Sequence, residues 1–124
     1  MNSIFLETSS FCLVREEYLP DTVYARLQQL LMADPDSGMV MPGCGGLRKL
    51  RVADAKRGKG KRGGTRVIYL YVPEAMRFYM IDVYGKDEQE DIPAADKKLF
   101  RRIADEIKAE AFAQHKKWQE ENQL

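Results

Sequence analysis

The chain has 124 residues and a mass of 14.3 kDa, enough for one domain with its own hydrophobic core. Hydrophobic residues make up 44% and charged residues 31%, a balance that excludes a disordered, collagen-like or membrane-spanning chain. The two cysteines, Cys12 and Cys44, are too few for a disulfide scaffold. We therefore expect a single domain over residues 1–124, with reduced thiols, in the cytoplasm.

Charge is distributed very unevenly along the chain. Between Leu47 and Arg66 nine basic residues stand against one acid, a net charge of +8, while the other 11 basic and 18 acidic residues carry −7. This concentration creates a local positive field that the formal net charge of +1 conceals. The pattern favours a surface that attracts a polyanion, although a solvated loop of the same composition would also be this basic.

The first half of the chain predicts one strand and two helices. A short strand is expected near residues 3–8, and a short helix over 11–18 that ends before a proline. Asp21 is expected to cap the next helix, whose apolar residues follow the i, i+4, i+7, i+8 rule and form one stripe: Val23, Leu27, Leu30 and Leu31. Residues 34–38, Asp-Pro-Asp-Ser-Gly, end that helix, and 39–46 form a glycine-rich connector.

The next predicted strand, residues 47–53, has two different faces. Leu50 and Val52 point to one side, while Lys49 and Arg51 point to the other. Two cations two residues apart on one pleated face form a small anion-binding platform.

Two further strands and a long helix complete the predicted fold. Residues 65–72 are apolar on both faces, as in a central strand, and 77–84 form the next strand after a hairpin turn, with three residues on one face: Tyr79, Ile81 and Val83. A helix runs from Asp96 to about Trp118, with an apolar series in register: Leu99, Ile103 and Ile107. The order β-α-α-β-β-β-α predicts an α+β domain with a mainly antiparallel sheet and a long C-terminal helix.

The sequence lacks the residues that a dinucleotide site, a zinc site or a nucleophile–base pair would require. Residues 58–63 spell G-x-G-x-x-G, but a strand follows them, so no helix N-terminus would hold the pyrophosphate of a dinucleotide. The one histidine, His115, and two scattered cysteines provide neither a zinc site nor a nucleophile–base pair. We therefore expect no metal, no nucleotide and no other cofactor.

Three stretches, in this order and spacing, resemble the HigB branch of the RelE/ParE toxin superfamily. They are Pro-Gly-Cys-Gly-Gly-Leu-Arg-Lys-Leu-Arg at 42–51, Gly-Lys-Gly-Lys-Arg-Gly-Gly-Thr-Arg-Val-Ile-Tyr at 58–69, and Val-Tyr-Gly-Lys at 83–86. The resemblance runs from about residue 3 to residue 105. It implies a compact RelE-like fold and a toxin of a bacterial type II toxin–antitoxin system, which cleaves mRNA in the A site of the 30S ribosomal subunit. It also implies a HigA-like antitoxin that masks the basic face.

The resemblance assigns catalytic roles to four cations. Lys49 and Arg51 match the two cations that RelE-like toxins carry on the strand before the loop. Arg66 matches the arginine that begins the strand after it, and Lys86 matches a lysine that follows the third strand of the meander. The chain departs from RelE at Asp87, where RelE has a further arginine, and it has no match for RelE's C-terminal tyrosine.

These cations suit a metal-independent cleavage in which a ribose 2′-OH attacks the scissile phosphate. The reaction requires removal of the hydroxyl proton, in-line alignment, and neutralisation of charge on the phosphoryl oxygens. A lysine surrounded by like charges gives up its proton more readily, so Lys49 or Lys86 is expected to act in acid–base transfer. Arg51 and Arg66 are expected to hold the phosphate, because a guanidinium group pairs with two of its oxygens.

The other cations of the basic segment are expected to bind RNA backbone, including ribosomal RNA, without reading its sequence. They are Arg48, Lys56, Arg57, Lys59, Lys61 and Arg62. Two other functions stay open on the sequence: ParE-like inhibition of DNA gyrase, and non-catalytic binding to RNA or the ribosome. Retention of Lys49, Arg51 and Arg66 favours the nuclease over the gyrase inhibitor.

Overall fold

The computed structural model describes residues 3–53, 64–85 and 94–123. Its elements in chain order are β1 (Ile4–Glu7), α1 (Ser9–Tyr18), α2 (Asp21–Ala33), β2 (Met39–Val40), β3 (Arg48–Val52), β4 (Thr65–Val72), a 3-10 helix (Pro73–Ala75), β5 (Arg77–Gly85) and α3 (Ala94–Glu121). The strands form one sheet in the order β1-β5-β4-β3-β2, in which β1 is parallel to β5 and all other neighbours are antiparallel. The predicted α+β class and antiparallel meander are confirmed, and β2 is a short strand that sequence analysis missed.

The sheet separates two layers of hydrophobic core. On one face, α1 and α2 pack against β4 and β5; on the other, α3 packs there together with the segment 41–47. Strand β4 supplies both layers, because Val67 and Tyr69 point to the first and Ile68 and Leu70 to the second. This confirms the prediction of a central strand that is buried on both faces.

Polar contacts hold the α1–α2 hairpin to strand β1. The hydroxyl of Tyr24 donates to Oε2 of Glu7 at 2.5 Å. Burial, supported by this hydrogen bond, raises the pKa of Tyr24 above its usual range, so the phenol keeps its proton. The guanidinium of Arg15 lies 5.2 Å from the centre of the Tyr24 ring and bonds Asp21 at 2.7 Å. The prediction that Asp21 caps α2 is wrong, because Pro20 holds the cap position and Asp21 pairs with Arg15 instead.

Strand β5 changes the face of its side chains in mid-strand. Its register with β4 skips Ile81, the additional residue of a β-bulge. Tyr79 and Ile81 pack on the α3 side of the sheet, whereas Val83 packs on the α1–α2 side. The prediction that these three residues share one face is wrong, because the bulge interrupts the two-residue period.

The apolar stripes of the helices also differ in part from prediction. In α2, Leu27 and Leu31 are buried, but Leu30 is 48% exposed. In α3 the fully buried residues are Ala104 and Ala111, while Leu99, expected in the core, is 51% exposed. The small side chain of Ala104 lies where α3 comes closest to the backbone of a neighbouring loop.

That loop is the glycine-rich segment 41–47, which leads into β3. Gly45 has a φ of +70°, in the left-handed region. A Cβ atom at this position would lie 2.9 Å from Cβ of Ala104 and 3.3 Å from the carbonyl oxygen of Arg101. Glycine is required here both by the backbone angle and by the helix, so this contact fixes α3 beside the start of β3.

We expect Gly45→Ala to lower the free energy of unfolding by about 2–5 kcal/mol. About 1–2 kcal/mol comes from the left-handed backbone and about 1–3 kcal/mol from overpacking against α3. The control is Gly43→Ala, because Gly43 has a similar φ of +73° but no atom within 4 Å of the added Cβ. Urea unfolding measures both variants, and equal losses would contradict the close packing of α3 on this segment.

A second prediction concerns Asp82, which is half-buried beside the bulge and accepts a hydrogen bond from the backbone N–H of Val83 at 2.9 Å. Burial raises the pKa of this carboxyl group, and the hydrogen bond opposes part of the increase. The protonated Asp82 therefore contributes fully to the free energy of unfolding below the usual carboxyl pKa of 3.8. This contribution is lost as the pH rises through the higher pKa of the folded state.

We expect Asp82→Asn to unfold at a higher urea concentration than the wild type at pH 7, because the amide keeps the acceptor and never ionises. The difference should disappear as the pH falls toward the usual carboxyl pKa. Urea titrations across this pH range measure it, and a difference that does not change with pH would refute the buried-carboxylate explanation.

Candidate nucleic-acid interface

The register of β3 with β4 brings three of the predicted cations to one face of the sheet. Arg51 pairs directly with Arg66, and Lys49 lies two residues earlier on the same pleated face. Leu50 and Val52 pack on the opposite face, against the α1–α2 core. The predicted division of β3 into a cationic and an apolar face is confirmed, and the cations lie on the side of the sheet that α3 covers.

The cross-strand row continues from Arg51 through Arg66 to Tyr84 of β5, the Cα partner of Arg66. Arg66 and Tyr84 are each 6% exposed, whereas Arg51 is exposed and Lys49 half-buried. Cations directly opposite on neighbouring strands repel each other. An anion bound next to both guanidinium groups would offset this repulsion.

A hollow of about 220 Å³ lies beside these cations, between β2, β3 and the start of α3. Two kinds of described residue line it: the cations Lys49, Arg51 and Lys97, and the apolar or weakly polar Met39, Val40, Met41, Pro42 and Cys44. None of these lining residues is acidic. No local sequence pattern marks Lys97, because packing on Gly45 sets which side of α3 faces the sheet.

A larger hollow of about 430 Å³ lies between α2 and the outer edge of β3. It is lined mainly by apolar residues, with two arginines: Val23, Arg26, Leu27, Leu30, Leu50, Arg51, Val52 and Ala53. Strand β2 pairs only with Arg48 and Lys49, so within the described residues the edge of β3 is unpaired from Leu50 onward. This groove explains why Leu30 is exposed, and its lining suits apolar contact better than anion binding.

Arg48 belongs to a different cluster from the other strand cations. It pairs with Tyr69 on the α1–α2 side of the sheet. Its Nη1 donates to the carbonyl oxygens of Gly38 at 2.8 Å and Asp36 at 3.3 Å. The Tyr69 hydroxyl donates to the carbonyl of Pro35 at 2.7 Å and accepts from the N–H of Gly38 at 3.0 Å. Arg48 therefore fastens the loop between α2 and β2, and the structure does not bring it together with Lys49 and Arg51.

Six of the predicted site residues lie outside the described residues: Lys56, Arg57, Lys59, Lys61, Arg62 and Lys86. The strand residues nearest these segments lie side by side in the sheet: Val52, Thr65 and Gly85. They are at the same end of the sheet as Arg51 and Arg66.

Within residues 3–53, 64–85 and 94–123, no group of three or more His, Cys, Asp or Glu side chains is placed to hold a metal ion. The helices in these ranges are all too short or too polar to cross a membrane. Both cysteines are free thiols, Cys12 exposed and Cys44 buried.

Among solved structures, an arginine-to-alanine double mutant of the E. coli toxin RelE in the free state is similar, with 17% sequence identity and a TM-score of 0.48. The match covers 73% of this chain and 90% of that chain. A family model described as the RelE toxin of the RelE/RelB toxin–antitoxin system matches residues 26–124. This match includes α2 from Arg26 onward, every strand from β2 to β5, and α3, and the chain therefore belongs to the RelE toxin family.

Proposed function

We propose that this toxin is a ribosome-dependent mRNA endonuclease that inhibits translation. The observation that supports the proposal is the convergence of Lys49, Arg51 and Arg66 on one face of two adjoining strands. A single RNA strand laid across this face would bring one phosphate close to both arginines. Membership of the RelE toxin family supports the role of a toxin, and the cationic face supports RNA as its substrate.

In the proposed reaction, the ribose 2′-OH is the nucleophile and the bond from phosphorus to the 5′-oxygen breaks. Arg51 and Arg66 bind the scissile phosphate and neutralise the negative charge that develops on its oxygens. Lys49 or Lys86 accepts the hydroxyl proton and later returns it to solvent, and water donates a proton to the leaving 5′-oxygen. The products are a 2′,3′-cyclic phosphate and a 5′-hydroxyl end, so atoms and charges balance without a metal ion.

The ribosome has a defined role in this proposal. It would present the messenger in an extended shape, so the toxin need only supply charge and proton transfer. The cations from Lys56 to Arg62 would contact ribosomal RNA, as predicted from the sequence. If the ribosome sets the geometry of the substrate, a site with few acid–base groups is sufficient for cleavage.

We also propose that the toxin is of the HigB type and that its cognate antitoxin is HigA-like. The supporting observation is the sequence motif at residues 42–51, whose glycines carry the contact with α3 and whose last residues form the cationic face of β3. An antitoxin that neutralises the toxin in the cytoplasm would bring carboxylates to Lys49 and Arg51.

Arg51→Ala is expected to reduce cleavage of ribosome-bound mRNA by about 100-fold or more, because an electrostatic contact made in the transition state is lost. Arg51 is exposed, so the variant should fold like the wild type. The assay is the mapping of transcript 5′ ends after brief induction, together with cleavage on purified ribosomes. Arg102→Ala, an exposed arginine on α3 outside both hollows, is the charge-matched control and should keep full activity.

The same experiment applies to the buried member of the pair. Arg66→Ala should abolish growth arrest, but truncation of a side chain only 6% exposed also leaves a cavity, so urea unfolding must accompany the growth assay. A folded Arg66→Ala variant that still arrests growth would contradict its assignment to the scissile phosphate.

Purified toxin should cleave mRNA far faster on programmed ribosomes than in free solution. The comparison uses one messenger, with and without 30S and 50S subunits, and follows its 5′-hydroxyl products. Equal rates would show that the ribosome does not supply the substrate geometry. Inhibition of DNA supercoiling with intact transcripts would instead support gyrase as the target.

A further inference from the structure

The hollow of about 220 Å³ between β2, β3 and α3, here called the β3–α3 hollow, contains features that the proposed chemistry does not use. We propose that it binds one nucleotide of single-stranded RNA and that Lys97 of α3 contacts the phosphate of that nucleotide. This inference rests on the proposed function and extends it, because it makes α3 a part of the RNA-binding surface.

The charge of the hollow favours a phosphate. Lys49 and Arg51 reach it from β3 and Lys97 reaches it from α3, so three cations from two elements share one concavity. No described carboxylate lies within 4.0 Å of any of the three. Like charges that converge in this way raise the local potential, and an anion with several oxygens is the ligand that offsets it.

The apolar part of the lining favours a nucleobase. Met39 of β2 is 76% exposed and is the Cα partner of Lys49, and Met41 and Pro42 also line the hollow. A nucleotide has an apolar base at one end and a charged phosphate at the other, which matches a hollow with an apolar and a cationic wall. A base can reach this wall only when it is unpaired, so the ligand is single-stranded.

The packing of α3 explains why Lys97 faces the hollow. Arg101 follows Lys97 by one helical turn, and its carbonyl oxygen lies against Gly45, so Lys97 and Arg101 are on the same side of the helix. Lys98 is exposed and does not line the hollow. The chain therefore offers two neighbouring lysines, of which one serves as the test and the other as the control.

The test measures binding apart from cleavage. A labelled single-stranded RNA of about ten nucleotides with 2′-O-methyl riboses cannot be cut, and its affinity for the full chain is measured at increasing potassium chloride. Lys97→Gln should weaken binding about five- to tenfold and lower the slope of log affinity against log salt by about 0.7, the value for one lost phosphate contact on a single strand. Lys98→Gln should leave both quantities at the wild-type value, and Lys97→Arg should restore them.

Two further probes examine the apolar wall. Met39→Ser should weaken binding of the single strand but leave the salt slope unchanged, because no charge is lost. Poly-L-glutamate supplies negative charge without bases, and it should compete less well than RNA at equal charge. Equal competition would overturn the assignment of a nucleotide to the hollow and indicate an acidic protein segment instead.

The outcomes separate this inference from the nuclease proposal. If Lys97→Gln keeps the affinity and salt slope of the wild type, or if the wild type does not bind the RNA, the inference is overturned whatever the toxin cleaves. If Lys97→Gln weakens binding as expected but the wild type cuts no messenger on ribosomes, the inference stands and the nuclease proposal fails.

Discussion

The pairing register of β3 with β4 determines where the cationic surface lies. Burial of Leu50 and Val52 against the α1–α2 core forces Lys49 and Arg51 to the other face, next to Arg66. A slip of one residue would move every side chain of β3 to the wrong face, exposing the apolar pair and burying the cations. Hydrophobic packing on one side of the sheet therefore specifies the cationic surface on the other side.

The contact of α3 with Gly45 adds a second constraint, because it decides which side of the helix faces the sheet. Ala104 is completely buried there, and Lys97, two turns earlier, lines the β3–α3 hollow. The helix thus contributes a cation to a surface whose other cations come from β3. A bound phosphate would connect the two elements, so RNA binding and the docking of α3 should stabilise each other.

Sequence patterns predicted the local features and missed those that depend on tertiary contacts. Alternation over five residues was enough to assign the two faces of β3. The bulge at Ile81 and the exposure of Leu99 depend on how neighbouring elements pack, and no period of two or 3.6 residues contains that information. Lys97 was missed for the same reason, since it is one of several lysines and arginines in a charged helix.

Arg48 and Arg51 show that the basic residues of one strand belong to two different faces of the sheet. Arg48 was assigned to RNA binding with the other cations of the basic segment, and Arg51 was assigned to the scissile phosphate by the resemblance. The two residues lie three positions apart and therefore point to opposite faces of one strand. The two-residue period of a strand places Arg48 on the same face as Leu50. On that face Arg48 donates a hydrogen bond to the carbonyl oxygen of Gly38 and holds the loop between α2 and β2. The local charge of a segment predicts a polyanion-binding surface, whereas the pleat decides which of its cations lie together on one face of the strand.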